Sequence, residues 1–273
     1  MRPRRGTIAL HVILLTGTAA LLVLVMLYPY LPGEYDPLAV PLSTMAQLVG
    51  LIGLLLVPVG IVWLISGRAG IASVIVMTLV VLVATLFAWL TSGLLLGALT
   101  LAAWAVALSR WVPRLKERRF APVVPLCLVV LPPIALLVQL LMRAPMTEFS
   151  RNSVIANSGE IVGDIERHRA QYGRYPDSLT AVNKDYQPYA AGIEQYHYVQ
   201  RGNSYSVFFA QPRFLLDDFG AREYVMYDPR DEHMMPSHAV WVLLWSQDRI
   251  RAQQGWYAMG DAGSPHWKYF LFD

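Results

Sequence analysis

The amino-acid sequence predicts an all-α membrane region of five transmembrane helices, followed by a C-terminal α+β domain in which one long amphipathic helix packs on an antiparallel sheet. Three observations carry that expectation. The first 145 residues hold four long apolar runs, one of them 39 residues long. Basic residues gather in alternate connections between those runs. Beyond Met146 the hydrophobic pattern changes, first to a helical stripe and then to strand alternation.

Composition divides at the same place. Hydrophobic residues make up 55% of the chain, charged residues only 15%, and the mean hydropathy is +0.42, which sets the chain apart from ordinary soluble proteins. Ten Lys or Arg stand against three acids up to Pro145, whereas twelve stand against sixteen from Met146 on. The high isoelectric point thus comes from loops beside membrane spans. A nucleic-acid partner is excluded, because the polar half of the chain is acidic. The single cysteine, Cys127, lies in an apolar run and permits neither a disulfide framework nor a thiolate metal motif.

The apolar runs are Thr7 to Leu31, Ser43 to Ile65, Gly70 to Leu108 and Pro122 to Met142. The first follows Arg2, Arg4 and Arg5 and ends in Tyr28-Pro29-Tyr30-Leu31-Pro32, which reads as an uncleaved span and not as a signal peptide. As one helix the third would be about 58 Å long, against a hydrocarbon thickness of ~30 Å. A turn at Thr91-Ser92-Gly93 divides it into two passes, Gly70 to Leu90 and Leu94 to Trp111. With five spans, Arg2 to Arg5, Arg68 and the cluster Arg110, Arg114, Lys116, Arg118 and Arg119 fall on one side. The positive-inside rule makes that side the cytoplasm. The expected location is a bacterial inner membrane, with the N-terminus cytoplasmic and the C-terminal domain periplasmic. The domains expected are 1–145, membrane-embedded, and 146–273, soluble.

No span carries a charge at its centre, where a transport pathway would need one. His11 lies near a span end and reads as an interfacial histidine. Pro132-Pro133 should kink or break the fifth span, and Gly50, Gly53 and Gly60 give the second a surface fit for close helix contact. Arg143-Ala144-Pro145 should end the fifth span, with a new helix starting near Ser150.

In that new helix Val154, Ile155, Ile161, Val162, Ile165 and Tyr172 form the apolar stripe, and Glu160, Asp164, Glu166, Arg167 and Arg169 the wet face. Gly173 and Pro176 stop it. Strands follow at Gln195 to Gln200, Ser204 to Ala210, Glu223 to Asp228, Ala239 to Trp245 and Trp267 to Phe272. The first two form a hairpin around Arg201-Gly202-Asn203, and Tyr205, Val207 and Phe209 share the face that packs on the helix.

The segment Ile155 to Leu179, with Tyr172-Gly173-Arg174-Tyr175-Pro176 at the helix exit, resembles the soluble helix and turn of the type IV pilin and type II secretion pseudopilin family. The resemblance implies a pilin-like domain fold. The chain departs from that family in its five spans and in lacking a Gly-Phe-Thr-Leu-x-Glu-like processing site before the fifth. Only the domain fold carries over.

Asp217, Asp218, Asp228, Asp231 and Glu232 cluster in loops around the third strand. Calcium is the ion their oxygens suit, and the resemblance points the same way, since some pseudopilins hold calcium in this part of the fold. His233 and His238, with Met234 and Met235 between them, offer ligands for a softer metal such as copper. No EF-hand spacing, nucleophile elbow or phosphate-cradling glycine loop is present, so the sequence predicts no cofactor and no catalytic residue. It reads as a non-catalytic envelope protein whose partners are the lipid bilayer and other envelope proteins, with the domain presented for protein or ligand binding. The alternative is a small transporter or membrane-enzyme subunit with an accessory domain.

Overall fold

The computed structural model describes residues 5–67, 70–112, 123–182, 185–217, 222–233 and 257–272. Among them are five helices long and apolar enough to cross a membrane. The chain divides into two compact units: Met1–Leu27 with Val40–Met142, and Tyr28–Ala39 with Arg143–Asp273.

The first unit contains α1 (Arg5–Leu27), the second span as α2 (Ala39–Leu51) and α3 (Val57–Ser66), then α4 (Ile71–Ser92) and α5 (Leu94–Trp111), and the start of α6 (Val123–Asn157). The divided third run is as expected, with Gly93 at φ +88° between α4 and α5. Trp104 Nε1 donates to Thr78 Oγ1 across the two helices at 3.3 Å. Arg68, Arg114, Lys116, Arg118 and Arg119 lie outside the described residues.

The second span is regular except at Ile52–Leu56, which winds as a 3-10 helix ahead of Pro58 in the first turn of α3. Proline lacks the N–H that an uninterrupted α-helix needs there, and it is tolerated in a first turn. Its glycines meet the prolines of α6. A Cβ on Gly53 would stand 3.1 Å from Pro132, and one on Gly60 3.0 Å from the Pro125 carbonyl oxygen. One on Gly50 would be 2.7 Å from the Leu136 nitrogen. Close backbone approach of this kind is what small residues permit between membrane helices.

Buried side chains add a hydrogen-bonded chain through α1, α2 and α6. Ser43 Oγ donates to the Met26 carbonyl at 2.6 Å, Gln47 Nε2 to Ser43 Oγ at 3.0 Å, and Gln139 Nε2 to the Gln47 carbonyl at 2.9 Å. All three side chains are buried. Met26 and Gln139 stand near the ends of their apolar segments, so the chain joins helices and marks no route through the bilayer centre.

Helix α6 runs unbroken through Pro132-Pro133, and one sequence expectation about it is corrected: Pro145 does not end it, and α6 continues to Asn157. Each proline removes one backbone donor, and contacts made elsewhere outweigh that loss. In the second unit Tyr196 Oη donates to the Val154 carbonyl at 2.6 Å, and Asn157 Nδ2 to the Pro188 carbonyl at 2.9 Å. The interruption falls at Ser158, whose hydroxyl turns back onto the Ile155 carbonyl at 2.6 Å. Helix α7 (Gly159–Tyr172) follows, and Gly173 closes it at φ +73°.

Strands β1 (His197–Arg201), β2 (Ser204–Gln211), β3 (Arg222–Tyr227), β4 (Tyr257–Asp261) and β5 (Trp267–Phe272) form one antiparallel sheet in the order β1-β2-β3-β5-β4. Arg201 pairs with Ser204, so the hairpin loop is Gly202-Asn203, two residues where three were expected. β4 was not foreseen, and Ala239 to Trp245 lies outside the described residues. The core sits between helix and sheet: Val154, Ile155, Ile161 and Ile165 meet Tyr205, Val207, Phe209, Val225 and Trp267. Tyr172 is excluded from it at 61% exposure, its ring resting on His168 at 4.6 Å. Asp164, expected in water, is buried and accepts from Tyr186 Oη at 2.6 Å.

The second unit also includes 28–39, the connection between the first two spans. Tyr30, 1% exposed, stacks on Phe214 at 4.6 Å and 7°. Pro32 bridges Ala190, and backbone bonds join Gly33 to Tyr189, Asp36 to Ala191 and Gly192 to Pro29. A Cβ on Gly192 would fall 2.7 Å from Pro29, which only glycine avoids. Segment 28–39 thus packs with the chain beyond Arg143 in one compact unit, and four candidate spans separate the two in the sequence.

Candidate functional site

A cleft of about 240 Å³ opens on the second unit, between α6 and β5. Ala144, Thr147, Glu148 and Arg151 line it from α6 at the three-and-four spacing of one helix face. Arg213 and Asp217 approach from the segment after β2, Tyr269 and Leu271 from β5.

Its floor is ionic. The Glu223 side chain, on β3, is fully buried and binds two guanidinium groups. Arg151 donates to Oε1 through Nε at 2.9 Å and Nη2 at 2.5 Å, and Arg213 donates to Oε2 through Nη1 at 2.6 Å. Tyr269 covers Arg151, ring centre 4.3 Å from the guanidinium carbon. Asp217 lies 3.7 Å from Arg213 and 3.4 Å from Arg143. With Glu148 on the cleft wall, Arg143, Arg151 and Arg213 face three carboxylates, so the charges around the cleft balance. None of this was legible in the sequence, where Arg151, Arg213 and Glu223 are each isolated and carry no spacing signal.

The residues proposed as metal ligands are distributed differently. Asp217 belongs to the ionic floor of the cleft. Asp228 is buried at the end of β3, where Oδ2 accepts from Arg201 Nη2 at 2.5 Å and the His233 amide at 2.9 Å, and Oδ1 from the Arg230 amide at 2.9 Å. Asp231 pairs with His266 Nδ1 at 3.1 Å. The His233 ring is buried, and its Nε2 donates to the His266 carbonyl at 3.1 Å. Asp218 and His238 lie outside the described residues. Among the described residues no group of three His, Cys, Asp or Glu side chains is arranged to hold a metal. Asp228 serves as a turn-former and the partner of Arg201, which explains its burial without an ion.

A second cleft, about 260 Å³, is bounded by Asp164, Arg167, His168, Gln171 and Tyr172 of α7 and by Ala181 and Val182. Arg167 pairs with Asp164 beside it.

Burial lowers the pKa of His233 and of His197, the latter stacked on Phe208 at 4.8 Å. Around His233, Asp228 and the hydrogen bonds to its ring act in the raising direction and Lys268 in the lowering one, but desolvation is the largest cause. A histidine whose folded pKa is depressed binds its proton more readily when unfolded. Its stabilisation is therefore complete above the unfolded value near 6.5 and is lost as pH falls below it. The second unit should melt at lower temperature at pH 5.5 than at pH 7.5, and His197→Phe, which keeps the stack, should reduce that difference. Melts of the full-length protein in detergent at the two pH values measure both.

Comparison with known proteins finds no matching family model, no matching curated protein and no matching solved structure.

Proposed function

We propose that this chain is a non-catalytic protein of the bacterial inner membrane that presents a pilin-like domain to the periplasm for binding a protein or ligand. The observation that carries the reading is the union of 28–39 with the chain beyond Arg143 in one compact unit. It supports a five-span topology, in which an even number of spans separates two segments on the same side. The basic connections then fall on the other side, which the positive-inside rule assigns to the cytoplasm. The pilin-like reading is supported by the order of parts: a membrane helix, an amphipathic helix closed by Gly173 and Tyr175-Pro176, then an antiparallel sheet. Tyr175 is buried, with Arg169 over its ring at 4.7 Å, so the helix exit is a packed feature of the domain. Binding, and not catalysis, is favoured because Arg151, Arg213 and Asp217 of the cleft are tied in ion pairs, Arg151 and Arg213 to Glu223 and Asp217 to Arg213.

Reporter fusions test the orientation. A reporter active only in the periplasm should work when fused at Asp273 and fail when fused after Arg119. The reverse pattern would overturn the proposal.

A further inference from the structure

The cleft of about 260 Å³ beside α7 lies wholly within the second unit. Asp164, Arg167, His168, Gln171 and Tyr172 line it at the spacing of one helix face, and Ala181 and Val182 of the short 3-10 helix Leu179–Val182 supply the rest of the wall. Tyr172 is the residue out of place. Its position in the apolar stripe of α7 predicts burial, yet it is 61% exposed while Ile161 and Ile165 of the same stripe are wholly buried. The ring is nonetheless held, resting on His168 with centroids 4.6 Å apart and planes inclined at 44°. An exposed tyrosine offers a ligand an apolar face and a polar tip.

Charge narrows the choice of ligand. Asp164 is buried and pairs with Arg167, whose Nε also donates to the Gly163 carbonyl at 3.3 Å. Among the described residues that line the cleft, one acid and one guanidinium therefore offset each other, and neither an anion nor a cation meets an excess of opposite charge. Uncharged polar groups remain. His168 Nδ1 lies 3.1 Å from the Arg174 carbonyl, which can only accept. In the neutral imidazole Nδ1 thus carries the proton and Nε2 presents a lone pair. Gln171, one turn further along the helix and exposed, adds a carbonyl oxygen and an NH₂ group. An acceptor beside a group that both donates and accepts suits neighbouring hydroxyls on one ring.

From these observations we infer that the cleft binds one ring of an uncharged sugar, with the C–H face of the sugar on Tyr172 and its hydroxyls on His168 Nε2 and Gln171. The C–H groups on one side of a pyranose are apolar and weakly positive, which suits the negative face of an aromatic ring. The volume is roughly nine times the ~30 Å³ share of one water molecule, room for one ring and not for a chain of them. A sugar acid brings a charge that the Asp164–Arg167 pair has no excess to match. A flat base stacks on Tyr172 but brings no neighbouring hydroxyls to His168 and Gln171.

The inference rests on the binding reading proposed above and gives it a ligand class, but it requires nothing of the orientation. A negative result here beside a positive reporter result sinks the sugar site and not that reading. The test uses the full-length protein in a detergent without a sugar headgroup, observed by saturation-transfer NMR with glucose, galactose, N-acetylglucosamine, glucuronic acid or cytosine. At least one of the three neutral sugars should bind, with an affinity on the order of millimolar for so few atoms on an open site. Glucuronic acid and cytosine should bind several-fold more weakly. Tyr172→Ala should abolish sugar binding, Tyr172→Phe should retain it, and Gln171→Ala should weaken it several-fold. All three variants should melt like the unaltered protein, because both positions are exposed. The trisaccharide of N-acetylglucosamine should bind no more tightly than the single sugar, which marks a one-ring site and not a groove for a glycan chain. Absence of transfer from every neutral sugar, a sugar signal that survives Tyr172→Ala, equal binding of cytosine, or a much tighter trisaccharide would overturn the inference.

Discussion

Replacing Glu223 with alanine is expected to unfold the second unit or to lower its melting temperature by on the order of 10–20 °C. The carboxylate is fully buried and is the common partner of Arg151 and Arg213, themselves only 12% and 15% exposed. Its removal leaves two guanidinium groups held out of water without their counter-charge. Breaking a buried pair in this way costs about 3–5 kcal/mol, a large part of the 5–15 kcal/mol that stabilises a typical domain. The cause can be separated from simple loss of packing. Substituting apolar residues of similar volume at Glu223, Arg151 and Arg213 together removes the charges as well as the pairing, and should recover most of the stability. Thermal melts of the full-length protein in detergent, followed by near-ultraviolet circular dichroism, compare the two variants. If the single variant melts like the unaltered protein, the cluster is not the buried network described.

Ile165→Asp should be comparably severe. Ile165 is wholly buried in α7, in the core that includes Tyr205, Val207 and Phe209. Burial of such a side chain contributes about 1.5–3 kcal/mol, and placing a carboxylate there adds a desolvation cost of several kcal/mol more. The expected result is a domain that aggregates or melts without cooperativity. Helix periodicity alone would make Arg167→Asp a neutral control. The structure does not, because Arg167 is the ion-pair partner of the buried Asp164, and an aspartate there would face another carboxylate. Asn152→Asp, on an exposed position of α6, is the appropriate control and should change stability by about 0.5 kcal/mol or less. Equal tolerance of Ile165→Asp and Asn152→Asp would show that the stripe is not buried.

The sequence by itself determined those features that depend on neighbours a few residues apart. Span lengths, the division at Gly93, the α7 stripe at Ile161 and Ile165 and the β2 alternation at Tyr205, Val207 and Phe209 all follow from the helix period, the strand period and the thickness of a bilayer. Tertiary structure alone decided everything that depends on which distant residues meet. Pro145 looks like a helix end because the local rule counts one lost donor, whereas α6 is held past it by Tyr196, Asn157 and Arg151, whose partners lie between 31 and 72 residues away in the chain. Tyr28 to Leu31 read as the end of the first apolar run, yet Tyr30 finds Phe214 and Gly192 fits Pro29. Gln47 and Gln139 are ordinary polar residues in apolar runs until α2 and α6 are brought side by side. The cleft is the extreme case, since its charges come from α6, β3 and the segment after β2. Periodicity records which face of an element turns inward, but not what it meets there, and an ion pair or a binding cleft is made of that meeting.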